Sequence, residues 1–123
     1  KKHIELILPM DEFYINANEE LLKQVWLNLL DNAIKFSPDY GTVEVQIKNS
    51  QDTSVSISNY GDAIPEGSMD KIFNKFYQVD ESHSKEGNGV GLAVVKKIVD
   101  LHDGEITVNC KDGKTTFIVT IPQ

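Results

Sequence analysis

Two asparagines four residues apart, Asn28 and Asn32, lie in the stretch Asn28-Leu29-Leu30-Asp31-Asn32-Ala33-Ile34-Lys35-Phe36. On a helix, side chains at this spacing share a face. At about 100° per residue, Gln24, Asn28, Asp31, Asn32 and Lys35 fall within a wedge of about 100°, and Leu22, Val25, Trp26, Leu29 and Ala33 fill the opposite arc. Two carboxamides, a carboxylate and an ammonium aligned in this way suit hard-oxygen ligation of a cation together with a contact to phosphate. The same spacing also describes an amphipathic helix with a solvated face. A second candidate is Gly87-Asn88-Gly89-Val90-Gly91-Leu92, which opens an apolar run with helical spacing to Val99. Glycines let backbone amides converge, and a helix start adds the positive end of its dipole, so the turn favours an anion. It is not a Walker A loop, because no Gly-Lys-Ser/Thr follows. Nor does it fit a dinucleotide fingerprint, because the preceding Asp80 to Glu86 is too polar to be a strand. A flexible loop before an ordinary helix is the other reading.

Two further segments join these. Val55-Ser56-Ile57-Ser58-Asn59-Tyr60-Gly61-Asp62-Ala63-Ile64-Pro65 is a strand running into a turn, and Ile72-Phe73-Asn74-Lys75-Phe76-Tyr77-Gln78-Val79-Asp80 follows it. In chain order the four segments resemble the N, G1, F and G2 boxes of the ATP-binding catalytic domain of sensor histidine kinases. That family sits within the superfamily of gyrase, heat-shock chaperone, histidine kinase and mismatch-repair ATPases. The resemblance runs from about Leu6 to Ile121. The G1 box departs from the pattern: Asn59 stands where the family has an aspartate, and Ala63 where it usually has a second glycine.

The resemblance implies an ATP and Mg²⁺ site. Asn32 is the expected magnesium ligand, with Asn28 on or near the same metal shell. Neutral amide oxygens suit an ion whose charge is met mainly by substrate phosphates. Lys35 points the same way towards a phosphate, and Lys75 resembles the basic F-box position that meets the terminal phosphate. Asn28, Asn32, Lys35 and Lys75 are therefore the expected catalytic set. Asn59 is in phase with Val55 and Ile57, which puts it beside the helical layer, where the resemblance places adenine. Phe36 packs near the base, Gly61, Ala63 and Ile64 line the nucleotide from the G1 box, and Gly87, Asn88, Gly89, Val90, Gly91 and Leu92 do so from the G2 box. Phe76 lines it from the F box, and with Phe73 and Tyr77 it also packs to carry a lid or face a partner domain. That lid is expected over Gln78 to Asn88, a polar segment with almost no apolar anchor. Asp31 and His83 are expected to be solvated, His102 structural, Trp26 a core residue, and His3 uninformative.

No histidine here has the context of a phosphoacceptor. By the resemblance, that residue lies in a separate helical dimerisation domain, which in turn serves a response regulator. The expected activity is therefore binding of Mg-ATP and donation of its γ-phosphate to a histidine elsewhere. A nucleotide-sensing module without catalysis and another ATPase of the superfamily are the alternatives.

Composition agrees with one compact domain over residues 1–123. A chain of this length with 40% hydrophobic residues can bury a core. The net charge of -7, from 12 basic and 19 acidic side chains, argues against binding nucleic acid or an anionic membrane. An anionic nucleotide must then be held by local dipoles, lysine and metal. One cysteine, Cys110, permits no intrachain disulfide and suits a reducing compartment such as the cytoplasm, with any membrane anchor lying elsewhere in a parent protein. The longest apolar run is too short to span a bilayer. A start at Lys1 that enters a strand pattern at once predicts a piece of a longer protein, monomeric by itself.

The elements that must position these residues are legible from periodicity. Ile4, Leu6 and Leu8 alternate as a strand ending at Pro9, and a second short strand is expected near Phe13 to Ile15. Asn18 is a helix N-cap followed by Glu19 and Glu20, and that helix runs to about Phe36, where Ser37-Pro38 stops it. Val43, Val45 and Ile47, then Val55 and Ile57, form a hairpin across Asn49 to Asp52. Pro65 to Tyr77 holds a short helix. A second long helix covers about Val90 to His102 with Gly104 as its C-terminal cap. Glu105 to Cys110 pairs with Thr115 to Ile121 around Asp112-Gly113. The predicted class is α+β: a two-layer α/β sandwich whose mixed, mainly antiparallel sheet is covered by helices on one face.

Overall fold

The computed structural model describes residues 3–9, 17–61 and 91–123. Its elements, in order, are β1 (Glu5–Ile7), α1 (Glu19–Lys35), β2 (Thr42–Asn49), β3 (Asp52–Tyr60), α2 (Gly91–Leu101), β4 (Glu105–Lys111) and β5 (Lys114–Pro122). The five strands form one sheet in the order β1-β2-β3-β5-β4. Only the β1–β2 pair is parallel among these. The expected short strand near Phe13 to Ile15 and the helix from Pro65 to Tyr77 lie outside the described residues.

Strand alternation sends one set of side chains to the helices. Val43, Val55, Ile57, Ile106, Phe117, Val119 and Ile121 meet Leu22, Val25, Leu29 and Ala33 of α1 and Val95, Ile98 and Val99 of α2 in one buried cluster. The opposite face of the sheet is hydroxyl-rich, with Ser54 paired to Thr120 at 3.2 Å and Ser58 to Thr116 at 3.0 Å. Helices therefore cover one face of a mixed sheet, the α+β arrangement the periodicity predicts. Trp26 is half-buried and packs against the edge of the core.

Local chemistry explains the ends of the elements. The side chain of Asn18 accepts from the Leu21 N–H at 3.0 Å and caps α1. The turn between β4 and β5 has positive φ at Asp112 (53°) and Gly113 (75°), the backbone of a two-residue hairpin turn. At the end of α2, Gly104 N–H donates to the Val99 carbonyl and Asp103 N–H to that of Asp100, both at 3.0 Å. This is a Schellman closure whose left-handed residue is Asp103, with φ of 56°, and not Gly104 as the sequence predicts. Gly104 is needed for another reason: a Cβ there would lie 2.5 Å from the carbonyl oxygen of Thr120.

The first strand also differs from expectation. It is only Glu5–Ile7, and its apolar residues are exposed, Leu6 45% and Ile7 43%, as is Leu8 after it, while Ile4 before it packs against the core. α1 lies over β2 and β3, and α2 over β4, while β1 stands at the edge of the sheet. His3, uninformative in sequence, anchors this edge. Its N–H donates to Asp39 Oδ1 at 2.6 Å, its carbonyl accepts from Tyr40 N–H, and its ring stacks on that of Tyr40. The His3 backbone N–H, with smaller contributions from the His3 ring and the Tyr40 N–H, holds the Asp39 carboxyl below its ordinary range. His102, read as structural, joins the two helices. Its Nε2 accepts from the Asn18 N–H at 3.1 Å, so Nδ1 carries the proton and donates to the Ile98 carbonyl at 2.9 Å.

Candidate functional site

The middle of α1 faces the start of α2. Asn28 is half-buried on α1, and its Nδ2 donates to the Gln24 carbonyl at 2.8 Å. That bond occupies the nitrogen end of the amide and leaves Oδ1 turned towards α2. A Cβ on Gly91 would sit 3.1 Å from this oxygen, so the glycine is what lets the helix start come so close. The carboxamide oxygen of Asn28 therefore stands beside the positive dipole end of an 11-residue helix whose first turn carries no acidic side chain. Sequence spacing could place Asn28 on this face, but could not tell which end of its amide is available.

One turn further along α1, Asn32 is also half-buried, and Asp31 and Gln24 are exposed, as a solvated face requires. Lys35 lies in the last turn and Phe36 is the C-cap, both half-buried. The end of α1 rests on the end of β3. A Cβ on Gly61, whose φ is 150°, would lie 2.5 Å from the Phe36 carbonyl oxygen, and Gly61 N–H donates to the Gly113 carbonyl at 3.1 Å. This contact brings Lys35 and Phe36 beside the strand exit that carries Asn59.

Asn59 is 1% exposed, on the inner face of the sheet between Val43 and Thr115. Its Nδ2 is enclosed and has no hydrogen-bond partner among the described residues. Such an omission costs on the order of 1–3 kcal/mol, and an acceptor on a ligand relieves it. Thr115, which the sequence reading missed, is a second buried polar side chain beside it in register, its Oγ1 3.4 Å from Cys110 Sγ. The signal was available: Thr115 is in phase with the inward Phe117, Val119 and Ile121.

The structure thus brings Asn28 together with Gly91, and the Phe36 backbone together with Gly61, two residues beyond Asn59 at the end of β3, with Asn32 and Lys35 between them on α1. Leu92 is half-buried and packs against the core. Ala63, Ile64, Lys75, Phe76, Gly87, Asn88, Gly89 and Val90 lie outside the described residues, as does the expected lid. Among the described residues no group of three His, Cys, Asp or Glu side chains could hold a metal ion. No helix among the described residues is long and apolar enough to cross a membrane.

A mixed sheet with helices on one face, and a carboxamide-bearing helix face against a glycine-led helix start, is the arrangement among the described residues. The chain belongs to the histidine kinase-, DNA gyrase B- and HSP90-like ATPase family, whose model matches residues 17–123. It is 43% identical over 122 residues to the adaptive-response sensory kinase SasA of Gloeothece citriformis (strain PCC 7424), covering 97% of this chain and 31% of that protein. The catalytic domain of histidine kinase ThkA superposes with a TM-score of 0.82 at 29% identity, covering 98% of this chain and 79% of that one. Full-length ShkA, in complex with AMPPNP, gives a TM-score of 0.80 at 26% identity, over 98% of this chain and 25% of that one. The chain spans about a third of the length of the SasA relative it matches.

Proposed function

We propose that this chain is the catalytic domain of a longer sensor histidine kinase, binding Mg-ATP and donating its γ-phosphate to a histidine on a separate helical dimerisation domain. A response regulator then takes the phosphoryl group from that domain. The observation that carries the reading is the meeting of Asn28 Oδ1 with the glycine-led start of α2. The family match supports an ATPase fold, and full-length ShkA, a quarter of which matches this chain, is in complex with AMPPNP.

Asn28, whose amide oxygen is turned towards the start of α2, fits a cation's oxygen shell, and with Asn32 it would hold Mg²⁺ there. Lys35 would meet phosphate oxygens, as would Lys75, which lies outside the described residues. Bound Mg²⁺ supplies charge neutralisation on the phosphate tail. The start of α2 adds N–H donors and a positive dipole end, and Asn59, Phe36 and Gly61 receive the base. The protein's task is positioning and electrostatic stabilisation of the transferred group, with the acceptor nucleophile supplied by another domain. The net charge of -7 argues against non-specific nucleic-acid binding, and in this reading the domain works as a cytoplasmic monomeric unit tethered to its partner domain.

The test is a transfer assay with γ-labelled ATP, Mg²⁺ and the histidine-bearing domain of the parent protein supplied in trans. Acid-labile label should appear on that partner and not on this chain. Stable labelling of His83 or His102 in the isolated chain would overturn the division of labour.

A further inference from the structure

We propose that Asn59 makes the site tolerant of the substituent at C6 of a purine, so that 6-oxopurine nucleoside triphosphates bind alongside ATP. The inference rests on the reading above that this site takes a purine nucleotide. Asn59 is 1% exposed at the end of β3, on the inner face, where its sheet neighbours are Val43 and Thr115. Its Nδ2 is enclosed and unpartnered among the described residues. The nearby Thr115 hydroxyl is engaged with Cys110. Among the described residues, no hydrogen bond at Nδ2 holds the amide in one of its two orientations.

The chemistry of the purine edge gives this freedom its consequence. A 6-aminopurine donates from its amino group and accepts at N1. A 6-oxopurine accepts at O6 and donates from N1–H, the inverse pattern. A carboxylate only accepts, and so matches the amino group and repels the oxygen. A carboxamide carries acceptor and donor together, and a half-turn about χ2 exchanges them. Asn59 can offer Oδ1 to the amino group and Nδ2 to N1, or Nδ2 to O6 and Oδ1 to N1–H. Either pairing satisfies the buried NH₂, so neither base leaves it orphaned. Discrimination comes from better contacts to one base or from an element that repels the other, and a neutral amide free to turn over supplies neither.

The experiment titrates the 123-residue chain with ATP and with ITP, both in excess Mg²⁺. ITP differs from ATP only along the C6 and N1 edge and lacks the 2-amino group of guanine. The two dissociation constants should agree within about tenfold. In Asn59→Asp, checked for folding by thermal melting, the preference for ATP over ITP should rise by at least about tenfold. Tight ATP binding with ITP more than about 100-fold weaker in the unsubstituted chain would overturn the inference while leaving the nucleotide site intact. An unchanged ratio in folded Asn59→Asp would also overturn it. Binding of neither nucleotide would defeat the site assignment itself, and this inference with it. If Asn59→Asp does not fold, the ratio in the unsubstituted chain decides.

Discussion

Replacing Gly91 with alanine should weaken nucleotide binding without lowering stability. Gly91 is the first residue of α2 and has ordinary helical backbone, so alanine fits its conformation. In helices alanine is favoured over glycine by up to about 1 kcal/mol, less in the first turn, and the folded state should be unchanged or slightly firmer. The added methyl, however, would lie 3.1 Å from Asn28 Oδ1 and 3.7 Å from its Cγ. The amide must give by a few tenths of an ångström, and the 2.8 Å bond from Nδ2 to the Gln24 carbonyl resists that rotation. Misaligning one oxygen ligand is comparable to losing one hydrogen bond, about 0.5–1.5 kcal/mol. That corresponds to a roughly two- to twelve-fold loss of affinity for Mg-ATP. Calorimetric titration and thermal melting of the same sample read the two effects separately. Unchanged affinity, or affinity and stability falling together, would refute the idea that Gly91 is a glycine in order to leave room for the amide of Asn28.

Other outcomes follow from the same geometry. Gly61→Ala, forced against the Phe36 carbonyl with φ at 150°, should lose about 1–3 kcal/mol of stability in urea unfolding, and more than Gly113→Ala, where nothing lies within 4 Å of the new methyl. His102→Ala should remove the clasp between α1 and α2 at a cost of about 1–3 kcal/mol for its two hydrogen bonds, and nitrogen NMR of the unsubstituted chain should find the ring proton on Nδ1; a proton on Nε2 would contradict the network. Asp39 has its pKa lowered in the folded chain, so its contribution to stability is present above the ordinary aspartate value and is lost as pH falls through the folded one. Asp39→Asn should accordingly flatten the acid limb of the stability curve, and a carbon NMR titration placing Asp39 at or above the ordinary carboxylate range would rule this out.

The parts of the fold that could be read from sequence were those governed by local rules. Asn18 before Glu19 and Glu20, with Leu22, Val25, Leu29 and Ala33 at helical spacing, fixes the start and buried face of α1. Asp112-Gly113 between alternating strands fixes the β4–β5 turn. What escaped is set by packing between distant segments. Alternation along Ile4, Leu6 and Leu8 says which way side chains point, not whether a helix covers that edge. Glycine preference pointed to Gly104 for the left-handed position, but Asp103 takes it, and Gly104 answers to the approach of Thr120. The same holds in the site. Periodicity put Asn28 and Asn32 on one face, yet the opposition of Asn28 to Gly91, and of Phe36 to Gly61, exists only after folding. Thr115 was overlooked because its register against Asn59 depends on β5 lying next to β3 and not only next to β4.

The central claim is that an acidic domain holds ATP through a metal seated on the amides of α1. Its most direct test is calorimetric titration of ATP into this chain with excess Mg²⁺ and again with excess chelator, repeated for Asn32→Ala. Binding should be clear with Mg²⁺ and much weaker in chelator, because the phosphate tail then meets a net charge of -7 without a counter-ion. Asn32→Ala should lose most of the metal-dependent part and keep the remainder. Equal affinity with and without chelator, or an Asn32→Ala variant that retains the full metal dependence, would contradict it.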